Sequence, residues 1–125
     1  MILIFGGVYQ GKLDFALKQF NLTENDVYRC TENSGFPDSK KIIYEIDKWI
    51  LSLIKDNINI EKTVQEFINK NRDSIIISND ISCGIVPVDP VQRKWREAVG
   101  RTLAVLSGIS DEVFRLFCGI PAKIK

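Results

Sequence analysis

The strongest constraint on this chain lies at its start. Ile2-Leu3-Ile4-Phe5 is a continuous apolar run stopped by Gly6-Gly7, the pattern of a strand buried on both faces. From Lys12 onward, Leu13, Ala16, Leu17 and Phe20 fall at helical spacing. Between them, Gly6-Gly7-Val8-Tyr9-Gln10-Gly11-Lys12-Leu13 fits the G-x-x-x-x-G-K pattern of a phosphate-binding loop. In such a loop, glycines let successive N–H groups curl around phosphate oxygens. The helix N-terminus adds positive potential, and the lysine ammonium reaches the outer phosphates. A plain glycine turn followed by a solvated lysine would be spelled the same way. A Ser or Thr ordinarily follows the lysine to hold Mg2+; Leu13 has no oxygen to offer, so Mg2+ binding is weakened.

The rest of the chain continues the alternation of strands and helices. Residues 26–30 read as a second short strand, and residues 33–39, with Gly35 and Pro37, as a loop. Ser39 is placed to cap a helix carrying Ile42, Ile43, Ile46, Trp49, Ile50, Leu53 and Ile54 as a 3.6-residue stripe. A weaker helical stripe, Ile60, Val64, Phe67 and Ile68, ends near Asn71. Ser74-Ile75-Ile76-Ile77-Ser78 is a buried strand, and residues 79–88, with Gly84 and Pro87, are a loop. Asp89-Pro90 opens a last helix whose buried face is Val91, Trp95, Ala98, Val99, Leu103 and Leu106, with Gly108 as its stop. Residues 112–118 form the last strand. This order predicts a mainly parallel sheet with helices on both faces, in which ligands sit beyond the carboxyl ends of the strands.

Composition narrows the function. A chain of 125 residues, 45% hydrophobic and 26% charged, fits a single globular domain. A net charge of +1 gives no field that would draw it to nucleic acid or a membrane, and the chain has no run of ~20 apolar residues to span a bilayer. Cys30, Cys83 and Cys118 are widely spaced, which suits a reducing cytoplasm. The opening run lacks a basic n-region and predicts no signal peptide. Histidine is absent, which excludes a His base, a His nucleotidyl carrier and His metal ligands.

Two further groups carry possible chemistry. Asp80, following Ser78-Asn79 at the end of the Ile-rich strand, is placed to hold Mg2+ or activate a hydroxyl, or is an ordinary turn aspartate. Arg93, Lys94, Arg96 and Arg101 load one helix with positive charge, either as a solvated face or to steer an anionic substrate; Arg96 and Arg101, with Asn79, are the substrate candidates. Trp49 and Trp95 lie on apolar stripes and read as core or interface.

Residues 1–20 and a second series resemble the adenosylcobinamide kinase / adenosylcobinamide-phosphate guanylyltransferase family. The second series is Ile76-Ile77-Ser78-Asn79-Asp80, Gly84-Ile85-Val86-Pro87, the Arg-rich segment from Arg93 to Arg101, Asp111-Glu112-Val113, and Gly119-Ile120-Pro121-Ala122-Lys123-Ile124-Lys125. The resemblance implies a P-loop NTPase-like three-layer α/β sandwich that binds ATP or GTP through Gly6, Gly7, Val8, Tyr9, Gln10, Gly11, Lys12 and Leu13. It further implies phosphorylation of adenosylcobinamide, with Lys12 and Asp80 catalytic and Asp80 standing for the family's glutamate, in a homo-oligomer that would be a trimer. The chain departs from the family at Tyr9-Gln10, at Leu13 and at Leu103-Ala104, and it has no histidine to carry GMP. The acidic strand end expected before the Trp-containing helix falls among Tyr44, Glu45 and Asp47. The alternative is an inactive nucleotide- or corrinoid-binding paralogue that partners or helps assemble a complete enzyme.

Overall fold

The computed structural model describes residues 1–33, 35–37, 40–81 and 88–125. Six strands form one sheet: β1 (Ile2–Gly6), β2 (Val27–Arg29), β3 (Ile42–Tyr44), β4 (Ile75–Asn79), β5 (Glu112–Phe117) and β6 (Ile120–Lys123). The helices are α1 (Lys12–Gln19), α2 (Ile46–Lys55), α3 (Ile60–Lys70) and α4 (Pro90–Ile109). The strand order is β2-β3-β4-β1-β5-β6, with every neighbouring pair parallel except β5–β6. β1 therefore lies inside the sheet, between β4 and β5, which explains why its run is apolar on both faces.

Alternation along the strands makes the three layers. Leu3, Ile43, Ile76 and Val113 point to one face, where α2, α3 and α4 cover them with Trp49, Ile50, Leu53, Val64, Phe67, Val99 and Leu106. Ile4, Ile42, Ile75, Ile77, Phe114 and Leu116 point to the other face, where α1 packs with Ala16, Leu13, Phe15, Leu17 and Phe20. This is the P-loop NTPase-like α/β sandwich expected from the sequence. Among the described residues no helix is long and apolar enough to cross a membrane.

Four expectations are corrected. The helix expected from residue 42 begins only at Ile46, because Ile42 and Ile43 belong to β3, paired with Ile75 and Ile76 of β4. The two isoleucines also fit the helical stripe, so their spacing misled. Glu45, left-handed at φ 62°, separates strand from helix. β5 is not the last strand, since β6 returns antiparallel after a two-residue turn at Cys118-Gly119. α4 runs past Gly108 to Ile109, where Ser110 closes it by donating its Oγ–H to the Leu106 carbonyl at 2.6 Å. Its start is as expected, with the Asp89 Oδ1 accepting from the Val91 amide at 2.9 Å and Pro90 in the first turn. Val91, however, is exposed, and Trp95 and Leu103 are half-buried. Ser39, Cys83 and the loop residues 82–87, including Gly84 and Pro87, lie outside the described residues.

Gly6 ends β1 where the sheet leaves no room for a side chain. A Cβ there would sit 2.5 Å from the Leu116 carbonyl oxygen of β5. Gly6→Ala is expected to force β1 and β5 apart and destabilise the fold by about 1–3 kcal/mol, the usual cost of overpacking, as read by chemical denaturation.

Candidate functional site

The loop from Gly6 to Lys12 joins the centre of the sheet to α1. Gly11 occupies the position before the helix at φ 81° and, being glycine, offers no side chain to cap the first amides of α1. Tyr9, at the tip, is also left-handed (φ 60°) and 99% exposed. Lys12, only 4% exposed, folds back over the loop and donates its Nζ–H to the Gly7 carbonyl at 2.5 Å. Leu13 is half-buried, packs against the smaller core and borders the cleft with a side chain that has no oxygen.

Beside the loop is a cleft of about 600 Å3, bordered also by the residues that follow β3. Tyr44, Glu45, Asp47 and Lys48 border it together with Val8, Tyr9, Gln10, Gly11, Lys12 and Leu13; Asn79, Ile81 and Trp95 complete the wall. Asp47 is the buried carboxylate of the site, 2% exposed. Its Oδ1 accepts from the Asn79 amide and its Oδ2 from the Asn79 side-chain Nδ2, each at 3.2 Å. Its own carbonyl accepts from Trp95 Nε1 at 2.7 Å. One residue thus ties together the starts of α2 and α4 and the end of β4. Glu45 is paired with Lys48 at 2.8 Å. Left-handed non-glycine residues, such as Tyr9 and Glu45 at this cleft, are the kind of local strain that concentrates at functional sites.

The electrostatics are those of opposed buried groups. Burial pushes the Asp47 carboxyl above the usual range, against the lowering effect of the bonds from Asn79. Burial lowers the Lys12 ammonium, while the charges of Asp47 and Glu45 oppose that shift. If Lys12 holds an anion as an ammonium, affinity must fall as pH rises and the proton is lost. Asp47→Asn removes one of the carboxylates that keep the proton on, so the alkaline fall in triphosphate affinity is expected at lower pH in the variant. Calorimetric titrations across pH check this; an unmoved alkaline limb would show that Asp47 does not act on Lys12.

The other sequence candidates fall as follows. Gly6 and Gly7 lead into the loop. Asn79 borders the cleft itself and is also bonded to Asp47. Asp80 follows β4, its amide donating to the Gly6 carbonyl at 2.7 Å, and it is not among the residues that border the cleft. Arg96 is half-buried on α4 and does not border the cleft either. Arg101 lies in a separate groove between α3 and α4, 3.8 Å from Glu97. Asp47 is the buried acid that follows the β3 strand end, and Trp95 packs against the larger core as expected while its indole N–H also bonds the Asp47 carbonyl at the cleft.

A family model described as cobinamide kinase / cobinamide phosphate guanyltransferase matches residues 39–124. The match takes in β3, Asp47, Asn79 and α4, and begins after the Gly6–Leu13 loop. The bifunctional adenosylcobalamin biosynthesis protein CobU of Salmonella typhimurium is 35% identical over 51 residues, which cover 41% of this chain and 28% of that protein. With more than half of its length matched by the family model, the chain belongs to the cobinamide kinase / cobinamide phosphate guanyltransferase family.

Proposed function

We propose that the chain binds a nucleoside triphosphate, ATP or GTP, in the cleft between the Gly6–Lys12 loop and Asp47, and that at most it transfers a phosphoryl group to a cobinamide hydroxyl in cobalamin synthesis. The observation that carries this reading is the buried Lys12, held over a loop whose Gly11 is left-handed and whose helix start is uncapped. Burying an ammonium is costly unless it has a task there, and polyphosphate is the ligand such a loop fits. Asp47, facing the same cleft, takes over the hydroxyl-activating role that the sequence assigned to Asp80. Asn79 positions that carboxylate, while Arg96 and Arg101 stand as substrate candidates on α4.

The residues fit Mg2+ less well than they fit phosphate. Leu13 supplies no oxygen, and among the described residues there is no group of three His, Cys, Asp or Glu placed to hold a metal. Asp47 and Glu45 are the oxygen donors the cleft offers to an ion arriving with the triphosphate. Guanylyl transfer by a covalent histidine has no residue to use. The joint loss of that histidine and of the hydroxyl at position 13 favours the second reading, a binding paralogue without turnover that partners a complete enzyme. Free thiols at Cys30 and Cys118 suit a cytoplasmic setting, and a homo-oligomer belongs to the same reading.

Calorimetry with ATP and GTP, with and without Mg2+, followed by a turnover assay with adenosylcobinamide, tests both readings. Binding with turnover supports the kinase, binding alone supports the paralogue, and no binding at millimolar nucleotide removes both. Leu13→Ser is expected to raise Mg2+-dependent affinity by about tenfold, the worth of roughly one added charge-assisted contact. An unchanged ratio with and without Mg2+ would mean that more than the hydroxyl has been lost.

A further inference from the structure

The phosphate loop is fastened on its far side by a part of the chain more than a hundred residues away. The turn between β5 and β6 consists of Cys118 and Gly119, both left-handed at φ 52° and 75°, as a two-residue hairpin with the sheet's own twist requires. The amide of Gly119 donates to the Gln10 carbonyl at 3.1 Å. The amide of Cys118 donates to the Gln10 side-chain Oε1 in a short hydrogen bond. A single loop residue thus accepts both turn amides. The seam continues on either side of it: Gly6 lies hard against the Leu116 carbonyl, and Gly11 lies against the Cα of Gly119. The Gln10 side chain also lies over Gly7, whose missing Cβ would come 3.6 Å from Gln10 Cγ.

A cradle for phosphate works only when its amides face the anion and its carbonyls are turned elsewhere. Left to itself, a glycine-rich loop of this length spends much of its time in other shapes, and ordering it would weaken every ligand it holds. The hairpin turn supplies the missing order. Its two amides draw away the carbonyl immediately before Gly11 and the side chain beside it, and so fix where α1 and Lys12 begin.

We propose that Gln10 is a positioning residue for polyphosphate binding, fastening the Gly6–Gly11 loop to the β5–β6 turn through its carbonyl and its Oε1; this rests on the phosphate-binding reading above. Gln10 itself makes no chemical step. Its side-chain bond is what distinguishes this loop from one held by main chain alone.

Two variants of the full chain isolate that bond. Gln10→Met keeps the bulk and removes the acceptor; Gln10→Glu keeps an acceptor at the same reach. Hydrogen exchange at the Cys118 amide, followed by NMR without ligand, is expected to be slow in the unaltered chain and in Gln10→Glu, and about tenfold faster in Gln10→Met. Inorganic tripolyphosphate is expected to bind Gln10→Met about five- to tenfold more weakly than the unaltered chain. Equal exchange in all three proteins overturns the fastening. Faster exchange in Gln10→Met with undiminished tripolyphosphate affinity overturns the positioning role. An unaltered chain that binds no tripolyphosphate removes the phosphate reading itself, and the positioning role with it.

Discussion

Replacing Lys12 with alanine is expected to weaken ATP and GTP binding by about 10- to 100-fold, the worth of a charge-assisted hydrogen bond made in a desolvated site. The fold is expected to survive the change. Lys12 is almost wholly buried, and its ammonium donates to a carbonyl of its own loop. A buried charge so placed adds little stability and costs desolvation, so thermal stability should hold or rise. Loss of affinity without loss of stability is the signature of a residue kept for binding. Calorimetry and a thermal melt on one preparation of Lys12→Ala give both numbers. Unchanged affinity would make Lys12 a structural lysine, and the same letters would then spell only a glycine turn.

Trp49→Ala is expected to have the opposite profile. Trp49 is 1% exposed at the centre of the larger core. Its ring meets Phe67 at 5.1 Å and Phe36, edge-on, at 5.7 Å, so the truncation empties the junction of α2, α3 and the segment before β3. Such a cavity costs about 3–5 kcal/mol. Against a total stability of about 5–15 kcal/mol, this would lower the melting temperature by roughly 10–20 °C or leave the chain unfolded at working temperature. A fall of only a few degrees would mean that the aromatic cluster is not the keystone of that layer. The start of α2 carries Asp47, two residues before Trp49, so any folded fraction should also show a disturbed cleft.

The sequence was legible where one physical signal dominated. β1, β4 and the loop after β1 could be read because runs such as Ile75-Ile76-Ile77 are too short and too β-branched for a buried helix, and because glycines bound the first of them. Asp89-Pro90 gave the start of α4 by capping chemistry alone. The reading failed where two periods overlapped. Ile42 and Ile43 sit four and three residues before Ile46, so they extend the α2 stripe perfectly well on paper. Only their pairing with β4, contacts more than thirty residues apart, makes them a strand.

That single misreading had a functional consequence. In a parallel sheet the chemistry lies just past the strand ends, and a strand not recognised takes its strand end out of consideration. Asp80 drew attention because β4 was recognised, whereas Asp47 remained one of three acceptable residues because β3 was not. Asp47 is buried in the cleft wall, and Asp80, next to Asn79 in the chain, is not among the residues that border the cleft. The fastening of Gln10 by Cys118 and Gly119 had no sequence signal, since nothing local marks a glutamine as the partner of a turn so far along the chain.

All of this depends on an anion being gathered by the loop amides and Lys12. At 125 residues the chain suits amide-by-amide NMR, and GTP titrated into it addresses the point residue by residue. Expected are saturable shifts centred on Gly7 to Leu13, with weaker ones at Asp47, Asn79 and the Trp95 indole. Shifts confined to the groove between α3 and α4, around Val64 and Thr102, or none at all at millimolar nucleotide, would contradict it.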